Sequence, residues 1–145
     1  PAYLAANFYT LKDHHIAEQV LWQKINLYRQ DMGLNPLVLN SLGSEVSRDY
    51  ALTLSKLGYL THNLNGQSPT DRMQARFPYR VRALENLHHF GGTMMPDSVD
   101  DYTDFILHCW INSKGHNANL LNPGKIAVVA IFSTRDRKIN EHLAT

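Results

Sequence analysis

The run Ile106–Leu121, ILHCWINSKGHNANLL, constrains the fold of this chain more than any other stretch. Apolar residues recur at helical spacing through Cys109 and Trp110, until Ser113-Lys114-Gly115 interrupts the pattern just before His116. A second apolar pair, Leu120-Leu121, stops at Asn122-Pro123-Gly124, a strong breaker. The segment predicts a core helix, a sharp bend at Gly115-His116, and a histidine held at that bend so that it faces a cleft.

Around this segment the periodicities lay out an α+β chain. Ile16, Val20, Leu21, Leu27, Tyr28 and Met32 predict a first helix over 14–32, with Gly33 just beyond its end. Asn40 or Ser41 can cap a second helix whose stripe is Leu42, Val46, Tyr50, Leu54 and Leu57, closed by Gly58. Asn65-Gly66 marks a turn, and Ser68-Pro69 opens a third helix with serine as cap and proline in the first turn. Arg80–Phe90 lacks a helical stripe and reads as extended, with Leu84, Asn86 and His88 on one face and Glu85, Leu87 and His89 on the other. Asp97 or Ser98 caps the next helix, whose inner stripe runs Val99, Tyr102, Ile106, Cys109, Trp110 and Ser113. Ile126–Phe132, IAVVAIF, reads as a strand buried on both faces. Residues 1–13 form a short helix or ordered arm, and 133–145 return as a polar edge strand.

At 145 residues the chain fits one domain over 1–145. A domain of this size buries roughly 70% of its unfolded surface, enough for a core without staples. The 14 basic and 13 acidic residues leave a net charge of +1, which argues against a phosphate-tracking nucleic-acid surface. No apolar run reaches the roughly 20 residues of a membrane-spanning helix. The single cysteine, Cys109, excludes an internal disulfide and reads as a small buried hydrophobe. The start at Pro1 without methionine suits a mature or trimmed form.

Chemistry has to come from the eight histidines. His14, His15 and His142 read as solvated surface groups, and His108 as lying opposite the core stripe of its helix. His62, His88, His89 and His116 all fall at turns or in extended backbone, with Glu85 and Asn86 near two of them. Two histidines and a glutamate make a known catalytic zinc set, although no HExxH or CxxC spacing is present. The same residues can instead be hydrogen-bonded core or rim histidines, or braces for the loops. A Ser113-His116-Glu85 triad would need a geometry that spacing alone does not supply, and GxSxG is absent. Cys109 sits on an apolar stripe that offers no electropositive neighbour to activate a thiolate.

Taken in order, INLYRQDMGLNPLVLN, ALTLSKLGYLTHN, Glu85-Asn86-Leu87, WINSKGHNANLLNP and the closing apolar strand resemble the CAP superfamily in its bacterial SCP-domain branch. This is the family of cysteine-rich secretory, antigen 5 and pathogenesis-related 1 proteins. The resemblance spans about 18–132 and is most specific at Trp110–Leu121 and the Glu85-Asn86 pair.

It implies a three-layer α-β-α sandwich with a small antiparallel sheet between helices, free of disulfides in this branch. It also implies a central cleft of two histidines and two acids, matched here by His62, Glu85 and His116. Where many eukaryotic relatives carry the second acid, this chain has Ser113. The long cysteine-rich extension of those relatives is absent. Zinc or another divalent cation at His62 and His116, or a sterol or fatty acid between helices, is what the resemblance implies as ligand, with no cofactor required.

The expected function is therefore a non-enzymatic binding module with a cleft of His62, Glu85, Asn86, Ser113 and His116. Its ligand would be a lipid or sterol, a divalent metal or a partner protein. Its expected place is secreted or at the cell surface, or anchored by a segment upstream of Pro1. The alternative is a metal-assisted or acid/base hydrolase, protease-like, using His62, Glu85 and His116.

Overall fold

The computed structural model describes residues 11–90, 96, 98–127, 131–133 and 142–144. Expectations for residues 1–10, Asp97, 128–130 and 134–141 lie outside the described residues.

Helix α1, Leu11–Asp31, begins three residues before the expected His14. Its buried face overlaps the predicted stripe only in part: Leu21 is fully buried and Ile16, Val20 and Tyr28 pack half-buried against the same core. His14, Ala17, Glu18, Leu21, Ile25 and Arg29 point inward, while Leu27 and Met32 are more than half exposed. Polar groups on the inner face hid the true direction, because an apolar periodicity cannot register a buried histidine or arginine. His14, expected at the surface, is therefore a core residue. The helix closes on Gly33 at φ +78°, where Leu34 N–H donates to Arg29 O and Gly33 N–H to Gln30 O.

Short strand β1, Val38–Leu39, leads into α2, Ser41–Leu57. The Asn40 side chain caps α2 by accepting from Gly43 N–H at 2.7 Å, and Gly58 ends the helix in the left-handed conformation at φ +78°. Helix α3, Pro69–Gln74, starts with a capping box in which Ser68 and Asp71 satisfy each other's backbone N–H groups. The segment that follows stays extended and joins a sheet only at β2, His88–Phe90.

Helix α4, Val99–Ile111, is capped by Ser98 and buries Val99, Tyr102, Thr103, Ile106 and Trp110. Cys109 is only half-buried. The chain then breaks at Asn112-Ser113, not at Gly115-His116: Ser113 stands at the N-cap position of α5, Lys114–Leu120, without a side-chain capping hydrogen bond, and His116 lies within the first turn. Glycine at 115 adopts an ordinary helical backbone, so the bend falls where α4 ends and not at the glycine.

Strand β3, Ile126–Ala127, pairs in parallel with β1, and β4, Ile131–Ser133, runs antiparallel to β5, His142–Ala144. The apolar run expected as one strand thus serves two ladders. In the antiparallel sheet the order is β2-β5-β4, so the C-terminal strand, expected at the edge, lies in the middle. Its polar sequence pointed outward, yet strand order is decided by long-range pairing that local polarity does not record.

Helix α2 covers β4 and β5 on one side, while α1 and α4 pack on each other and on the opposite side. The result is an α+β, three-layer α-β-α sandwich with a small antiparallel sheet between helices. One core joins Leu21, Ile25, Phe90, Tyr102, Ile106, Trp110 and Leu120; a second holds Tyr50, Ala51, Leu54 and Leu87 beneath α2.

Candidate functional site

Three local devices bring the site together. The left-handed end of α2 at Gly58 releases the chain toward His62. A tight turn at Asn65 (φ +51°) and Gly66 (φ +76°) pairs Leu64 with Gln67 and returns it to α3. Thr70 then ties the start of α3 to the extended segment, its hydroxyl accepting from Ala83 N–H at 3.0 Å.

At their meeting point lies Glu85, whose side chain is only 10% exposed. Its Oε1 is 2.9 Å from His62 Nδ1, and its Oε2 accepts from Arg72 Nη2 at 2.6 Å. Arg72 also donates through Nη1 to the carbonyl of His62 at 2.8 Å. The guanidinium stacks over the Tyr50 ring, 3.4 Å from its centre, a cation–π contact out of solvent. Tyr50 in turn donates to Thr61 O. Burial pushes the Tyr50 phenol above its ordinary range, partly offset by the Arg72 charge.

The Gly-His half of the signature is joined through amides. Asn86 Nδ2 donates to His116 O at 3.0 Å, and Asn119 Nδ2 donates to Asn86 Oδ1 at 2.9 Å. Asn117 on the same helix accepts from Tyr28 OH at 2.7 Å. His116 is therefore fixed by its backbone. Among the described residues, its half-buried ring meets neither His62 nor Glu85 in a hydrogen bond, and Ser113 Oγ makes none with it. The structure thus brings His62 to Glu85 and Asn86 to His116, and leaves Ser113 as a helix start.

Among the described residues, ligand atoms of three or more His, Cys, Asp or Glu side chains come within 4.8 Å of one another only at exposed Asp100, Asp101 and Asp104. There Lys24 Nζ already lies 2.6 Å from both Asp100 Oδ1 and Asp104 Oδ1.

The segment Val81–Asn86 walls a half-open cavity of about 270 Å³, lined also by Met73, Phe77, Trp110, Asn119 and Leu120. A shallower groove of about 530 Å³ follows Phe105, Leu107 and Ile111 on α4 and touches none of the predicted site residues. His88, on β2, packs edge-on against Phe90 and Phe105 and has a buried Nε2 without a hydrogen-bond partner among the described residues. Burial, helped by His89 and His116, pushes its imidazole down to about 4. His15, His89 and His108 are exposed.

Sequence reasoning missed Arg72, Tyr50 and Asn119. Asn119 stands three after His116 on one helix face, so its position was readable once α5 was placed; Arg72, in a short helix, reads as a solvated charge until its place over Tyr50 is seen.

No family model matches the sequence, and no curated protein matches it. Solved structures do match the fold. An outer surface protein from Borrelia burgdorferi aligns over 88% of this chain and 89% of its own, at 19% identity and a TM-score of 0.66. An extracellular protein containing an SCP domain from Bacillus anthracis aligns over 93% of this chain, at 16% identity and a TM-score of 0.63. A cysteine-rich secretory protein from Staphylococcus aureus aligns over 93%, at 15% identity and a TM-score of 0.50. This chain spans 42% and 40% of the latter two proteins. The fold is CAP-like, that of the SCP domain.

Proposed function

From the SCP-domain fold as premise, we propose that this chain is a non-enzymatic binding module that works outside the cell and takes a small, largely apolar ligand of lipid or sterol type in the cavity beside Glu85. One observation carries the reading. Both oxygens of Glu85 are engaged, one by His62 and one by Arg72. A general base has to reach the proton it removes, within roughly 2.6–3.2 Å or through one water, and this carboxylate is held by its neighbours instead. Ser113 supplies no second acid in its place.

The cavity supports the ligand class. Its volume, about 270 Å³, falls just below the roughly 300–1,000 Å³ of drug-sized small-molecule sites. It suits a short apolar molecule or the apolar end of a longer one. Action outside the cell is supported by the outer surface and extracellular proteins that share the fold. No helix among the described residues is long and apolar enough to cross a membrane.

Calorimetric titration with decanoic acid and with a soluble cholesterol ester, beside incubation with a peptide library, tests the proposal. Expected are one-to-one binding of an apolar probe, weakened at least about tenfold by Val81→Phe at the cavity wall, and no cleavage. Peptide hydrolysis that vanishes in Glu85→Gln would replace this reading with the hydrolase.

A further inference from the structure

The family resemblance implies a divalent cation at His62 and His116, and the residues present do not fit one. A catalytic zinc takes three protein ligands at about 2.0–2.2 Å. Here Glu85 is engaged on both oxygens, and no trio including His62, Glu85 or His116 has its ligand atoms within 4.8 Å of one another among the described residues.

What stands beside Glu85 is already a cation. We infer that Arg72 is the built-in cation of this cleft: its guanidinium neutralises Glu85 in place of a metal ion, and His62 with Glu85 acquires metal affinity only when Arg72 is removed. Three contacts fix it, to Glu85 Oε2, to the carbonyl of His62 and to the face of Tyr50. Its side chain and that of Glu85 are each only 10% exposed, so solvent screens the pair weakly. A guanidinium in a protein is a fixed cation, so at this position it repels an incoming divalent ion.

The fold also aims it. The Ser68–Asp71 capping box sets the first turn of α3, and the Thr70–Ala83 link holds that turn to the segment carrying Glu85. The cluster is thus a metal-independent clasp between the His62 loop, α3 and the extended segment. The inference concerns zinc alone and does not rest on the identity of any apolar ligand.

Zinc titration by calorimetry, with melting temperatures read in zinc and in EDTA, tests it on the intact chain. The wild type is expected to give no site-specific heat and a melting temperature indifferent to zinc and EDTA. Arg72→Met and Arg72→Gln are each expected to bind one zinc at least about tenfold more tightly than the wild type, and to lose that gain when His62→Ala is added. A wild type that binds one zinc, lost on His62→Ala or His116→Ala, overturns the inference. So do two folded neutral variants that gain nothing. Should the neutral variants fail to fold, Arg72→Lys keeps the charge and is expected to stay zinc-free; zinc binding by that variant overturns the inference.

Discussion

Arg29 shows what a buried charge requires of its surroundings. It is 1% exposed, and its guanidinium donates to the carbonyls of Asn35, Leu120 and Asn122, locking α1 to the end of α5. Arg29→Ala strands those acceptors and opens a void, and denaturant unfolding should show a loss of about 3 kcal/mol or more. His88 is the opposite case, an imidazole kept neutral among aromatic rings. Its folded value, near 4, lies below the roughly 6.5 of an unfolded chain. Between those values the unfolded chain takes up a proton that the folded one refuses. Stability is therefore full above about pH 6.5 and falls as pH drops toward 4, by up to about 3 kcal/mol. Unfolding free energies at pH 7 and pH 5 should differ less in His88→Leu than in the wild type. Arg29 was not legible in the sequence, where a lone arginine looks solvated until its partners across the fold are known; His88 was read as a hydrogen-bonded core or rim histidine, and the structure packs it among aromatic rings with its Nε2 unpartnered among the described residues.

Short elements here depend on their ends. Helix α3 has six residues, too few to be stable by itself, and persists through its capping box and the Thr70–Ala83 link. Ser68→Ala should cost about 1 kcal/mol in thermal or denaturant unfolding and disturb Arg72. The same change at a solvent-facing residue such as Gln67, which lies outside the box, should cost less. Caps and turns were readable because their chemistry is local: Asn40, Gly58, Asn65-Gly66, Ser68-Pro69 and Ser98 all do what their residue types predict. The bend expected at Gly115 belongs to Asn112-Ser113 because glycine permits a break without imposing one. The position of the C-terminal strand at the sheet centre was beyond reach, since no residue in His142–Ala144 encodes which strands it will join.

At the scale of the whole molecule, the sandwich places the loop after α2, the start of α3 and the segment before β2 at one end, where Glu85 gathers His62 and Arg72. The His62–Glu85 meeting was legible through the family pattern. Arg72 was not, because an arginine in a short helix reads as a solvated charge unless its burial over Tyr50 is seen. That residue changes the meaning of the cleft, from charges offered to a metal or substrate to charges engaged with each other. A double-mutant cycle of Arg72→Met and Glu85→Gln, followed by denaturant unfolding, tests this claim most directly. A coupling energy of about 1.5–3 kcal/mol is the predicted result, as for a hydrogen-bonded charged pair shielded from solvent. Additive single losses, with a coupling below about 0.5 kcal/mol, would contradict it.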